Sequence, residues 1–395
     1  MVTTERAGAG DARQRALVAL SLLARALPRR RAAWPPRRVL LIRPDHLGDL
    51  LLTTPALRLL RAQWPEAHVT ALVGPWAAEV LRRSPHVDVV HRCDFPWFNR
   101  RPRRQATEPY ALLVRTAAVL RTRCFDLAIN LRFDFWWGAA LAALAGVPRV
   151  AGYDWPTCRP FLTDPVPWPG ERHAVAQAAA LVAAVSGAPE ARAAAATRWP
   201  LEFRLRAAER AFAARVLPGD GRWVALHPGS GAPVKHWPLA HWCWLAQQLV
   251  AEGLRLVWTG SAIERALCVS LAAAVGGVVA AGATTLGQLA ALYERCALVL
   301  GPDSGPLHLA AAVGTPTVRL FGPADAALFG PHAPDDGRHV VVSTTWPCAP
   351  CGRLDYAPDI LPYHRCMAGI LPARVLAAAR VVLAAAQAEP VRVAR

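Results

Sequence analysis

Short apolar runs of strand length alternate with longer stretches of helical spacing along most of this chain. Val39 to Arg43 reads as a strand buried on both faces, and Leu50 to Ala62 has apolar positions at helical intervals. "HVTALVG", a helix ending near Arg83, "VDVVHRC", a Pro/Arg-rich loop from Phe95 to Pro109 and "FDLAINLR" continue the alternation. A Pro-rich passage from Pro156 to Pro169 then leads into a long Ala-rich helical region beginning at His173. The pattern restarts with strand "RWVALHPG", a Gly/Ser/Pro loop, a helix from Leu239, strand "LRLVWTG" and a helix from Ser261. A helix in "TTLGQLAALYERC", strand "ALVLGPD", helix "PLHLAAAVG" and strand "TVRLFG" follow. Strands alternating with helices predict an α/β protein with parallel sheets. The repeat predicts two Rossmann-like doubly wound domains, residues 38–200 and 201–371, facing a central cleft. A basic N-terminal extension (1–37) and a C-terminal helix and tail (372–395) flank them. Ligands in such sheets bind outside the carboxyl ends of the strands.

Composition narrows the partner. The net charge is +17, and 44 of the 45 cationic side chains are arginine, since Lys235 is the only lysine. The basic runs Arg29 to Arg31, Arg37-Arg38 and Arg100 to Arg104 are scattered, which favours a phosphorylated ligand or an anionic membrane surface over nucleic acid. Nine cysteines, most of them alone in apolar contexts, do not read as a secreted disulfide framework, so a cytoplasmic protein is expected. No run approaches the ~20 apolar residues of a spanning helix. "ALVALSLLARALPRRR" is a short apolar helix followed by a basic cluster, with the wrong layout for a signal peptide. It either lies peripherally on an anionic membrane face or is a frayed, solvated extension.

Three loops at predicted strand ends carry candidate chemistry. In "RPDHLGD", Gly48 permits a tight turn and Asp49 opens a helix. Asp49 is either a helix cap or a general base, and Asp45 competes for the base role. In "HPGSGAPVKHWP", Gly229, Ser230 and Gly231 let backbone N–H groups approach a phosphate, and Lys235 supplies an ammonium. Its being lysine is otherwise chance. In "GPDSGPLHLAAAVGTP", Asp303, Ser304 and Gly305 lie at a helix N-terminus, where exposed N–H groups attract an anion. The bland alternative is a well-capped helix with His308 in the core. There is no GxGxxG fingerprint and no DxD pair, so diphosphate chemistry here relies on helix ends and Lys235, without a metal or cofactor.

A fourth segment, "CAPCGRLDYAPDILPYHRC", offers Cys348, Cys351, His364 and Cys366. Four N/S ligands is the number a structural zinc takes, but His-x-Cys is tighter than the usual second half of such a site. Reduced thiols tightening a loop are the favoured reading, and no metal site is expected.

"LGDLLLTTPALRLLRAQWP", "HPGSGAPVKHWPLAHW" and "GPDSGPLHLAAAVGTPTVRLFGP", in that order, resemble the ADP-heptose:lipopolysaccharide heptosyltransferases, glycosyltransferase family 9. "FDLAINLR", "ERHAVAQAAALV" and the cysteine segment match more weakly. The resemblance runs from about Val39 to Pro372 and implies a GT-B fold. It further implies inverting, metal-independent transfer of a sugar, heptose by family default, from a nucleotide diphosphate sugar such as ADP-heptose. The acceptor implied is a lipopolysaccharide-core or related cell-envelope glycan. On this resemblance 38–200 is the acceptor domain and 201–371 the donor domain. Asp49 is the catalytic base and Lys235 contacts the donor diphosphate as the nucleotide departs. Asp303 holds donor-sugar hydroxyls, Ser304 and Gly305 present N–H groups with Gly229 and Ser230, and His308 supports the loop. Acceptor contacts are unassigned, with Phe95 to Arg104 and Phe133 to Trp137 as candidates. The basic extension lies outside the family core. A nucleotide-sugar 2-epimerase of GT-B fold and a non-catalytic nucleotide-sugar-binding protein are the alternatives. The first needs a fuller acid/base set, and the second has no need for Asp49.

Overall fold

The structure, a computed structural model, describes residues 5–99, 105–170, 172–219, 222–332, 337–357 and 359–388. The chain divides into two compact units. One comprises Met1–Glu171 with Val175–Thr197, and the other Arg172–Ala174 with Arg198–Arg395.

The first unit is built on strands β1 (Arg38–Arg43), β2 (His68–Val73), β3 (Val89–Arg92), β4 (Leu127–Asn130), β5 (Arg149–Tyr153) and β6 (Asp164–Val166). They form one parallel sheet in the order β3-β2-β1-β4-β5-β6. Val39, Leu40, Leu41 and Ile42 are all buried. A strand covered on both faces needs this continuous apolar run rather than alternation. The helices are α1 (Glu5–Ala26), α2 (Leu47–Gln63), α3 (Ala78–Leu81), α4 (Glu108–Arg121), α5 (Trp136–Leu144), α6 (Ala174–Ser186) and α7 (Glu190–Ala196). Every residue of α5, "WWGAALAAL", is buried, as expected of a helix apolar all round. Gly138 lets it lie close on the sheet, since a Cβ there would meet Asn130 Oδ1 at 2.6 Å.

Three expectations change here. The N-terminal helix is not a frayed extension: Leu17 and Ala24 are buried in the first unit's core, where α1 packs on α5. The Ala-rich region after His173 is two helices, because Gly187 takes φ +68° and Pro189 precedes α7. Of the candidate acceptor stretch, Phe133 and Asp134 are partly exposed, while Phe135, Trp136 and Trp137 are core residues. Phe95 is fully buried with them, while residues 100–104 lie outside the described chain.

The second unit repeats the topology with β7 (Trp223–Leu226), β8 (Arg255–Trp258), β9 (Val278–Val279), β10 (Cys296–Pro302), β11 (Thr317–Phe321) and β12 (His339–Ser343). Their order is β12-β11-β10-β7-β8-β9, all parallel. Around them lie α8 (Ala207–Val216), α9 (Leu239–Ala251), α10 (Arg265–Val275), α11 (Leu286–Glu294), α12 (Gly305–Ala312), α13 (Ala326–Phe329) and α14 (Pro372–Ala388). α14 packs on α9 and the sheet, with Val375, Ala379 and Val382 in the core. In each unit the strand order reverses at its centre, between β1 and β4 and between β7 and β10. Such a switch point opens a crevice at the carboxyl ends of the strands. Among the described residues no helix is long and apolar enough to cross a membrane.

Candidate functional site

At the switch point of the first unit, the loop after β1 meets the loop after β4. Arg43 Nη1 donates to Leu131 O at 2.7 Å, tying the two strand ends together. Asp45 is buried and bracketed by two guanidiniums, Arg43 Nε at 2.8 Å and Arg132, which also donates to it. Burial alone would push its carboxyl up, but Arg43 and Arg132 hold it below the ordinary carboxylate range. Asp45 is therefore a fixed anion, with its backbone carbonyl accepting from Trp76 Nε1 at 2.9 Å.

Asp49 is different. It stands in the first turn of α2, three residues past His46, which occupies the cap position. It is thus not the capping residue. Gly48 is part of that helical turn and makes no positive-φ bend. Burial, and then the charge of Asp45, push the Asp49 carboxyl up to about 6. Two neighbouring carboxylates have been driven apart by their surroundings, one favoured as the anion and one able to take up a proton near pH 6. Arg43 and then Arg132, which sequence reasoning passed over, hold Asp45 ionised. The Arg132 guanidinium lies 5.3 Å from the Phe98 ring and 5.9 Å from that of Phe133. The only sequence signal for it was its place at the end of "FDLAINLR".

In the second unit the loops after β7 and β10 meet in the same way. Lys235 ends a 3₁₀ turn, Pro233–Lys235, and its Nζ reaches Asp303 Oδ2 at 2.5 Å and Asp303 O at 3.3 Å. Both side chains are largely buried, 13% and 9% exposed, so the ammonium of this loop is held in a desolvated ion pair. Ser304, extended at φ −161°, takes the cap position of α12 but makes no cap bond. Its hydroxyl is buried without a hydrogen-bond partner among the described residues. Gly305 opens the helix. An uncapped N-terminus, an orphan hydroxyl and an ammonium together form a receptor for an anion.

Behind this surface lies a buried polar chain. His308 Nε2 is 4.0 Å from Asp303 Oδ1, and Arg319 Nη1 donates to His308 Nδ1 at 3.1 Å. Burial, and then Arg319, keep His308 well below the usual imidazole range. Its Nδ1 is thus an acceptor, so the proton sits on Nε2 facing Asp303. Arg319 is 1% exposed, further fixed by Thr317 Oγ1 and Leu307 O. The apolar look of "TVRLFG" hid it.

Gly229 and Ser230 fill out the loop after β7. A Cβ at Gly229 would fall 1.8 Å from Glu264 Oε1. Glu264, also not anticipated, accepts from Ser261 N at 2.6 Å and stands beside the loop. The Ser230 hydroxyl closes its own loop onto Ala232 O at 2.7 Å. Further along, Cys348, Cys351, His364 and Cys366 line one cavity of about 150 Å³ that also touches Val234. The thiols are free. His364 packs its ring on Tyr356 with centroids 3.6 Å apart, and the Tyr356 hydroxyl lies 3.7 Å from Cys351 Sγ. Among the described residues no three His, Cys, Asp or Glu side chains are arranged to hold a metal ion.

The model of glycosyltransferase family 9 (heptosyltransferase) matches residues 113–356, more than half of the chain. The chain belongs to glycosyltransferase family 9. Lipopolysaccharide heptosyltransferase 2 of Escherichia coli is 26% identical over 356 residues, covering 86% of this chain and 96% of that protein. Lipopolysaccharide heptosyltransferase 1 of Pseudomonas aeruginosa is 30% identical over 326 residues, 80% and 86% of the two chains. The solved structure of the Escherichia coli ADP-heptose lipopolysaccharide heptosyltransferase II superposes with a TM-score of 0.69 at 23% identity, over 88% of this chain and 98% of that one. The two units are those of a GT-B fold, and this family 9 member is a glycosyltransferase acting on a nucleotide-sugar donor and a glycan acceptor.

Proposed function

We propose that this glycosyltransferase moves heptose from ADP-heptose to a lipopolysaccharide-core or related envelope glycan, with inversion and without a metal ion. The observation that carries the reading is the receptor at α12. Lys235, Asp303 and the orphan Ser304 hydroxyl converge at a helix N-terminus. Heptose and ADP come from the heptosyltransferases that the chain resembles.

In this reading the first unit handles the acceptor and the second the donor. Asp49, ionised above pH ~6, takes the proton of the attacking hydroxyl as that oxygen bonds to the anomeric carbon. The bond from that carbon to the diphosphate oxygen breaks, and the nucleoside diphosphate leaves with the electron pair. Lys235 and the N–H groups of Ser304 and Gly305 stabilise the charge building on it, an effect typically worth several kcal/mol. Asp303, released from Lys235 when phosphate competes for the ammonium, is then free to accept from donor-sugar hydroxyls. With no DxD pair in the sequence, this cationic end is what meets the diphosphate.

The test is a panel of nucleotide sugars incubated with purified enzyme, with and without lipopolysaccharide-core acceptor. ADP release that needs both ADP-heptose and acceptor is expected. Acceptor-independent conversion of a donor to its 2-epimer would establish an epimerase. Donor binding without turnover on any acceptor would establish a binding protein.

A further inference from the structure

The first unit concentrates its exposed apolar side chains on one face. Of its described residues, Val18, Leu22 and Leu23 on α1 and Tyr110, Val114 and Val119 on α4 are large, hydrophobic and exposed. Apart from these only Trp34, packed against Trp64 and Arg149, and Trp97, packed against Trp136, are comparably exposed in that unit. Helices α1 and α4 both cover α5, and their C-terminal ends are joined. Arg121 Nη2 donates to Pro28 O at 3.1 Å, and Arg30 Nη2 to Cys124 O at 3.1 Å. Their inner sides supply Leu17, Ala24, Leu113, Ala117 and Leu120 to the core, while Val18, Leu22, Leu23, Val114 and Val119 remain exposed.

The stretches that carry these aliphatic residues are rich in arginine. No acidic residue occurs from Ala12 to Pro44, a stretch holding Arg25, Arg29, Arg30 and Arg31, or from Pro109 to Phe125, which holds Arg115, Arg121 and Arg123. On α1 the spacing Val18–Leu22–Arg25 runs along one stripe, aliphatic first and cationic toward the joined ends. Arg25, Arg31, Arg115 and Arg123 are exposed. Arginine is abundant throughout this chain. Here Arg30 is paired with Asp126 at 3.0 Å, while the exposed Arg25, Arg31, Arg115 and Arg123 frame the aliphatic side chains.

We propose that the outer faces of α1 and α4 dock the first unit on an anionic lipid bilayer. The aliphatic side chains enter the headgroup boundary while the arginines meet lipid phosphates, the two contributions from which interfacial helices draw their binding. A second copy of the chain would present the same positive face, so charge favours the membrane as occupant. The surface stands independently of the donor and acceptor assigned above, and its test uses neither.

Full-length protein is sedimented with vesicles of phosphatidylethanolamine containing one quarter phosphatidylglycerol, and with pure phosphatidylcholine vesicles. Binding to the anionic vesicles alone, weakening as salt rises, is expected. Leu22→Glu with Val114→Glu should lower that binding by about tenfold or more. Both variant positions are exposed helix residues outside the strand-end loops, so nucleotide release with a water-soluble acceptor should be unchanged. Arg25→Gln with Arg115→Gln, at exposed positions that leave folding intact, should weaken binding similarly. Equal binding to both vesicle types, or wild-type binding by both variants, would overturn the proposal. So would a wild-type dimer that Leu22→Glu with Val114→Glu renders monomeric, because the face would then belong to a second copy.

Discussion

Asp45 and Asp49 are four positions apart in sequence, and the sequence left the base role open between them. Burial raises Asp49, and so does the field of Asp45, an anion held by Arg43 and by Arg132, which is distant in sequence and delivered by β4. Because the base must be ionised, kcat/KM should fall as pH drops through about 6 and be level above it. Asp45→Asn removes the repelling charge and frees Arg43 and Arg132 to act on Asp49, so the acidic limb should move to lower pH. A pH–rate profile that keeps its limb in that variant would show that Asp49 is not the titrating group. Lys235 makes a second residue-scale case. Its type was legible, as the only lysine among 44 arginines, but its burial was not. Lys235→Ala leaves Asp303 buried without its cation, which should cost about 3 kcal/mol of stability. Thermal melts should show a lower Tm for Lys235→Ala, largely recovered by adding Asp303→Asn, while transfer stays impaired in both. An unchanged Tm in the single variant would mean that the pair is not desolvated.

At the level of elements, alternation of apolar runs was enough to find the strands that matter. A parallel strand covered on both faces cannot hide its composition, as "RVLLIR" and "CALVLGP" illustrate. Buried arginine escaped the same reading, because a cation inside an apolar run looks like an edge position until its partners are known. Arg319 sits on β11 yet acts on α12, holding the Nδ1 of His308 and the carbonyl of Leu307. It is a positioning residue for Asp303. Arg319→Met should raise the donor KM by about tenfold, since His308 loses the donor that fixes its tautomer. Arg319→Lys should recover part of this, and kcat should change less than KM. Unchanged donor KM, with the helix content intact by circular dichroism, would reduce Arg319 to a packing role.

For the whole molecule, the repeated α/β pattern specified two sheets of the same topology, and both place candidate site loops at the point where strand order reverses. The helix ahead of the first strand was harder to read. Its aliphatic content suits a membrane face or a packed face equally, and only the structure assigns Leu17 and Ala24 inward while Val18 and Leu22 remain outside. The account of activity rests on protein groups alone carrying the charge of the reaction, with Asp49 taking the proton. Its most direct test is acceptor-dependent ADP release from ADP-heptose in excess chelator, for wild type and Asp49→Asn side by side. The wild type should turn over undiminished, and the variant about 100-fold more slowly with little change in donor affinity. Loss of wild-type turnover that Mg²⁺ restores, or variant activity within a few-fold of wild type, would contradict it.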